Sequence, residues 1–371
     1  MKILFDARHI RDIYSGLARY THSILKALMK HNNFSRLDII LDENEDYDSN
    51  PLFSDIQIHK KSHINFIYLD APLFKIKHHM NVSSYVNKSD CDIYFYPHFD
   101  LPVLIRKKSI FVVHDLLPLV VDNYILKYKY LKQQYFKNMI AFNLSKKNTK
   151  CIAVSNSTKN DLLSIIDIEY DTKIDVVYED SFEDVVTTKI KNKTIESVLD
   201  LKYLLYIGDR RPHKNLKEMI DIFEILKVRY NYEGYFIIAG SERNFDINIE
   251  EYIDKKDNIK LIGRVSDEEL TQLYKSMDCL FFLSKYEGFG LPIIEAAKHN
   301  KKIIVANSSS CTEIAPTTAI RINLDNTVDI KAKTINDYLN DDAFIDNSSY
   351  LDDFSWIKSV EKIFKGDTKN D

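Results

Sequence analysis

Short apolar, β-rich runs alternate along the whole chain with stretches whose apolar positions recur at helical spacing. K-I-L-F-D-A opens the chain, and T-H-S-I-L-K-A-L-M-K then repeats apolar residues with the period of a helix. Further strand-like runs stand at L-D-I-I-L, I-N-F-I-Y-L, D-I-Y-F-Y, S-I-F-V-V-H and K-C-I-A-V-S. Several are apolar at nearly every position, as expected of parallel strands covered on both faces. S-N-S-T-K-N-D-L-L offers Ser155 or Ser157 as a helix N-cap. The rhythm restarts at L-K-Y-L-L-Y-I-G and continues through Y-F-I-I-A-G, I-K-L-I-G-R-V, C-L-F-F-L-S and K-K-I-I-V-A-N. This alternation predicts an α/β chain of two doubly wound, Rossmann-like domains. A polar, charged stretch over roughly residues 166–200 separates them and contains one short β-like run, K-I-D-V-V-Y. The expected division is an N-terminal domain over 1–175 and a C-terminal domain over 176–352. An amphipathic helix within 353–371, F-S-W-I-K-S-V-E-K-I-F, would pack back across the junction.

Composition narrows the class. A chain of 371 residues is too long for one ordinary core and suits two domains. Cys91, Cys151, Cys279 and Cys311 are far apart in sequence, with no paired C-x-x-C spacing, which argues against a zinc site or a disulfide scaffold and fits a reducing cytoplasm. Asp6 interrupts what would have to be the apolar region of a signal peptide, and no run is long enough to span a membrane. The protein is therefore expected in the cytoplasm, at most peripheral at the inner face of the plasma membrane. The net charge of −4 divides unevenly: residues 1–170 carry 23 basic and 18 acidic residues, leaving the remainder at −9. Lys127–Lys159 holds eight lysines, no carboxylate and several tyrosines. A solvated helix face is the plain reading of that run, and contact with anionic lipid or a pyrophosphate-linked acceptor is the other. Negative charge and the lack of a binding motif speak against nucleic acid.

Glycine is scarce, eight in the chain, and its placement points to a site. Gly208, Gly240 and Gly263 each follow a strand-like run directly, and Gly288 and Gly290 lie just after C-L-F-F-L-S. Carboxyl ends of parallel strands are where ligands bind, and a residue without Cβ allows close approach. In E-G-F-G-L-P-I-I-E, Pro292 suits the first helical position, which would put Glu295 in the first turn. Its carboxylate, Glu287 and the N–H groups of Phe289, Gly290 and Leu291 would then share one mouth. Carboxylates accept from sugar diols, and a phosphate needs cations from elsewhere. Arg210, Arg211 and Lys214 in G-D-R-R-P-H-K-N-L supply them. A sugar nucleotide fits both halves of this pattern.

The chain resembles a family-4 retaining glycosyltransferase of the GT-B fold, a mannosyltransferase-like group 1 glycosyltransferase with two Rossmann-like domains facing a central cleft. M-K-I-L-F-D-A-R with S-G-L-A-R-Y, V-V-H-D-L-L-P-L and C-I-A-V-S-N-S-T-K-N-D-L are similar to the N-terminal, acceptor-binding domain. Y-I-G-D-R-R-P-H-K-N-L, I-G-R-V-S-D-E-E-L and K-Y-E-G-F-G-L-P-I-I-E-A are similar to the donor-site segments, the last with the family's E-x7-E signature. The resemblance implies that Glu287 holds the sugar hydroxyls beside the backbone of Gly288, Phe289, Gly290 and Leu291. It implies that Glu295 binds the ribose diol and that Lys214, near Gly208, neutralises the leaving diphosphate. Arg264 and Val265 would line the base pocket, Gly16 would lie near the diphosphate or acceptor, and His114 near the transferred sugar. Many relatives carry Arg directly after the glycine matching Gly208; this chain has Asp209 there, so Arg210 or Arg211 would supply the charge. His98 in F-Y-P-H-F-D has no such support and is read as structural.

The expected function is transfer of a hexose, mannose from GDP-mannose, to a hydroxyl of a lipid-linked glycan in surface polysaccharide biosynthesis of the O-antigen or capsule type. No metal or other cofactor is expected, because cations and helix N-termini suffice for a diphosphate leaving group. Two alternatives stay open. One is a non-catalytic sugar-nucleotide-binding partner of another transferase, which Asp209 permits. The other is a glycoside hydrolase using Glu287 and Glu295, against which the Lys214 loop counts.

Overall fold

The computed structural model describes residues 1–13, 15–31, 33–121, 128–166, 168–185, 192–240, 249–254 and 256–365. Two compact units emerge: Met1–Glu179 together with Phe354–Asp371, and Asp180–Asp353.

The first unit is built on seven strands, β1 (Lys2–Asp6), β2 (Arg36–Asp42), β3 (Ile64–Leu69), β4 (Ile93–Tyr96), β5 (Ser109–Val113), β6 (Thr149–Ala153) and β7 (Ile174–Val176). They pair in parallel in the order β3-β2-β1-β4-β5-β6-β7. The inner strands β4 and β5 are buried at every position, while edge strand β3 is buried only at Ile64. That contrast is why the inner strands read as continuous apolar runs and the edge strand does not. K-I-D-V-V-Y, read from sequence as a β-like run in the linker, supplies β7 and closes the first sheet. Ser155 caps the helix Asn156–Ile165, its hydroxyl accepting from Thr158 N–H at 3.0 Å. The final helix, Trp356–Phe364, belongs to this unit and packs on the helix Gly16–His31. Trp356 meets Tyr20 edge-on at 5.7 Å, and Phe364 lies 5.8 Å from Phe95.

The second unit has six strands: β8 (Tyr203–Ile207), β9 (Tyr235–Ala239), β10 (Ile259–Gly263), β11 (Cys279–Phe282), β12 (Lys302–Ala306) and β13 (Ile320–Ile322). They are again parallel, in the order β10-β9-β8-β11-β12-β13. β13 escapes the sequence reading because three residues interrupted by Arg321 make no apolar run. Each sheet changes winding direction once, between β1 and β4 in the first and between β8 and β11 in the second. In doubly wound sheets such a switch point opens a crevice at the carboxyl ends of the two strands. No helix among the described residues is long and apolar enough to cross a membrane.

Candidate functional site

The second unit's switch point carries the predicted loops. After β8 comes Gly208, whose N–H donates to Ala239 O at 3.0 Å, and Gly240 N–H in turn donates to Gly263 O at 2.7 Å. The three strand-end glycines thus lie side by side across β8, β9 and β10. Gly240 has φ +128°, and a Cβ there would stand 1.9 Å from Gly208 O. This glycine therefore serves backbone packing, where the sequence reading had assigned it to ligand approach.

Lys214 follows Gly208 on the short 3-10 turn Pro212–Lys214, and Glu287 follows β11. Lys214 Nζ donates to Glu287 Oε1 at 2.6 Å, with side chains only 13% and 12% exposed. The ion pair spans the switch point. Burial opposes the charge on Lys214, but Glu287 and Asp209 outweigh it and raise its pKa, so the lysine stays cationic. The loops are also tied through their backbones. His213 O accepts from Lys285 N–H at 2.7 Å and from Ser284 Oγ at 3.3 Å. Burial, with Lys214 and Arg211 nearby, pushes the His213 imidazole down to about 3 and keeps it neutral. Ser309 and Ser310, after β12, clamp Glu287: Glu287 N–H donates to Ser309 Oγ, and Ser310 Oγ donates to Glu287 O, both at 2.9 Å. Sequence reasoning missed both serines, since only the β11–β12 pairing brings them to Glu287.

The helix after this loop runs Leu291–Lys298 with Gly290, at φ +106°, as its N-cap. Pro292 is therefore its second residue and not its first, and Glu295 is its fifth, beyond the first turn. Proline is tolerated there because the first N–H groups of a helix have no intrahelical acceptor. Glu295 Oε2 accepts from Tyr274 OH at 2.6 Å, a partner the sequence reading did not name. Gly288 and Gly290 flank the buried Phe289, and Leu291 begins the helix.

The arginines separate. Arg211 Nε donates to Asp209 Oδ2 at 2.6 Å, and Arg211 N–H reaches Asp209 Oδ1 at 3.2 Å. Burial raises the Asp209 pKa, but Arg211 and Lys214 more than reverse that and hold it below the ordinary carboxylate range. Asp209 thus anchors Arg211, two residues on. Arg210 is buried and pairs with Glu250. Both arginines line a cavity of about 760 Å³ whose walls include Asn215, Lys217, Asp221 and Lys285. Arg264 is exposed and Val265 half-buried, just before Ser266, which caps the helix Asp267–Ser276.

Gly16 and His114 lie in the first unit. Gly16 begins the helix Gly16–His31, and a Cβ there would have no described atom within 4 Å. His114 follows β5. Its Nε2 lies 2.9 Å from Pro97 O and its Nδ1 3.3 Å from Glu179 Oε1, with Tyr20 edge-on at 4.5 Å. Both polar neighbours are acceptors, so the ring is best satisfied carrying two N–H groups. Burial disfavours that charge, yet Glu179 and the Pro97 carbonyl outweigh it, and the His114 pKa is raised. A raised pKa means stabilisation that is full below the unfolded value, about 6.5, and is lost as pH rises through the folded value. His114→Gln should therefore cost more unfolding free energy at about pH 6 than at about pH 9; equal costs in denaturant titrations at the two pH values would refute the charged assignment. Of the basic run, Lys127 lies outside the described residues, while Tyr130, Leu131, Tyr135 and Phe142 are exposed on the helix Lys129–Ser145.

Residues 188–350 match the model of the family described as glycosyl transferases group 1. That match takes in nearly all of the second unit, Asp180–Asp353. The O-antigen chain mannosyltransferase RfbU of Salmonella typhimurium is 25% identical over 231 residues, 62% of this chain and 60% of that protein. O-antigen chain mannosyltransferase B of Escherichia coli is 30% identical over 115 residues, 30% of each. The chain thus spans less than two thirds of the length of these curated relatives. Among solved structures, a glycosyltransferase from Rickettsia africae superposes with a TM-score of 0.70 at 19% identity, covering 100% of this chain and 99% of that one. The two parallel Rossmann-like sheets are the GT-B architecture.

Proposed function

We propose that the protein is a retaining glycosyltransferase that moves mannose from GDP-mannose to a hydroxyl of a lipid-linked glycan in surface polysaccharide synthesis. The observation that carries the reading is the Lys214–Glu287 pair, set at the switch point of the unit that matches the group 1 family. In the transfer, the bond from the sugar's anomeric carbon to the diphosphate breaks. The acceptor oxygen attacks from the same face and passes its proton to the departing diphosphate oxygen. Lys214 stabilises the charge gathering on the diphosphate, and no metal is needed for that step. Glu287 accepts from the sugar hydroxyls and Glu295 from the ribose diol. Mannose as the sugar is supported by the names of the two O-antigen relatives.

The acceptor side is proposed to meet an anionic membrane, supported by the exposed Tyr130, Leu131, Tyr135 and Phe142 within a lysine-rich stretch. On this reading the protein would work at the cytoplasmic face of the membrane.

One experiment tests these points together. GDP-, UDP-, dTDP- and ADP-sugars are screened for a rise in melting temperature, and labelled sugar transfer to lipid-linked glycan in anionic vesicles is then followed. Saturation at 100 times Kd should add about 2.7 kcal/mol to the folded state. Stabilisation by GDP-mannose with labelled lipid product supports the proposal. Stabilisation without turnover on any acceptor would favour a binding partner, and no stabilisation by any sugar nucleotide would overturn the donor site.

A further inference from the structure

The first unit has a switch point of its own, between β1 and β4, and it too gathers polar side chains. His9 lies on the 3-10 turn Arg8–Arg11 that follows β1, and His98 and Asp100 follow β4. They are some 90 positions apart in sequence, and only the β1–β4 pairing brings them together. One ligand atom from each of the three lies within 4.8 Å of the others.

Asp100 is wholly buried. Its Oδ1 accepts from Tyr96 OH at 2.8 Å and lies 2.5 Å from His98 Nδ1. Its Oδ2 has no hydrogen-bond partner among the described residues. The nearest candidate, His78 Nε2, is 3.8 Å from Oδ2 and is engaged with Asp100 O at 2.9 Å. Arg8 does not serve it either, because its guanidinium is held by Asp6, Ala71 O and His78 Nδ1. A buried carboxylate oxygen left in this state is costly unless a cation completes it.

We propose that His9, His98 and Asp100 form a binding site for a divalent transition-metal ion of the zinc class. Two imidazoles and a carboxylate are the donor set such ions take, and three protein ligands leave a position open for water or a hydroxyl. Coordination exchanges the His98–Asp100 hydrogen bond for bonds to the ion and gives Oδ2 its missing partner. Tyr96 OH, 3.1 Å from His9 Nε2 and bonded to Asp100, orients two of the ligands from outside. Phe74, at φ 62° and with its ring 6.3 Å from His9 and 5.7 Å from His98, forms an apolar wall. This proposal departs from the expectation, drawn from the sequence, of a chain without metal.

The test uses the full chain without a histidine tag, stripped with EDTA and titrated with Zn²⁺ and Co²⁺ by calorimetry and visible absorption. The expected result is one equivalent of either ion, with Co²⁺ bands of low-symmetry nitrogen and oxygen ligation. His98→Ala and Asp100→Asn, each checked for folding by circular dichroism, should weaken binding by at least about 100-fold, beyond the usual effect of losing an outer-shell partner. The Co²⁺ spectrum of the unaltered chain decides the matter even where a variant does not fold. No stoichiometric uptake at tenfold excess of metal, or wild-type affinity in the two folded variants, would overturn the site and leave His98–Asp100 as a hydrogen bond only.

Discussion

Lys214→Ala is expected to lower the rate of sugar transfer by about 100- to 1,000-fold, the usual cost of removing one preorganised donor from a charged transition state. Glu287→Ala should lose a comparable factor through the sugar hydroxyls it would hold. The two side chains also stabilise each other. Lys214 and Glu287 are joined at 2.6 Å and mostly buried, so removing one partner strands the other charge and destabilises the fold. The double variant Lys214→Met with Glu287→Gln separates the two effects, since it leaves no orphan charge. It should recover most of the thermal stability lost by the single variants and remain inactive. Activity regained along with stability would show that the pair only ties the loops after β8 and β11 together. The pair would then have no part in transfer, and the proposed function would lose its main support.

How far the site could be read from sequence depends on distance along the chain. The strand runs were visible because inner parallel strands are covered on both faces, as β4, β5 and β11 show by burial at every position. β13, three residues with Arg321 in the middle, gave no such signal. Lys214 and Glu287 could be placed in one site because both follow strand ends in a run of glycines, although their contact needs the β8–β11 pairing. The clamp of Ser309 and Ser310 on Glu287 and the bond from Tyr274 to Glu295 could not be read. Serines and tyrosines are too common for their type to mark a role, and only the fold brings them in. The cluster of His9, His98 and Asp100 is the extreme case. His98 looked structural in F-Y-P-H-F-D because its partner His9 lies at the far end of the domain's sequence and reaches it only through strand order. Charge-bearing residues next to each other proved hard in a different way. Arg210 and Arg211 are neighbours with the same charge, yet one pairs with Glu250 and the other with Asp209.

Gly240→Ala should cost at least about 3 kcal/mol of folding stability, because it combines a conformation L residues avoid with a direct backbone clash. The new Cβ would stand 1.9 Å from Gly208 O and 2.7 Å from Gly208 C, and neither atom can swing aside as a flexible side chain would. Relief requires parting the ends of β8 and β9, which would break the bond from Gly208 N–H to Ala239 O and disturb the start of the Lys214 loop. Loss of sugar-nucleotide binding should accompany the loss of stability. Gly16→Ala is the informative contrast. There the added methyl meets no described atom within 4 Å, and alanine at the start of a helix favours folding slightly over glycine. Its unfolding midpoint should match or slightly exceed that of the unaltered chain, while transfer falls if the glycine exists to admit a ligand. Chemical denaturation of both variants, followed by the thermal-shift assay with GDP-mannose, checks the pair. A wild-type midpoint for Gly240→Ala would refute the packing argument. Unchanged transfer in Gly16→Ala would remove that residue from those expected near the diphosphate or acceptor.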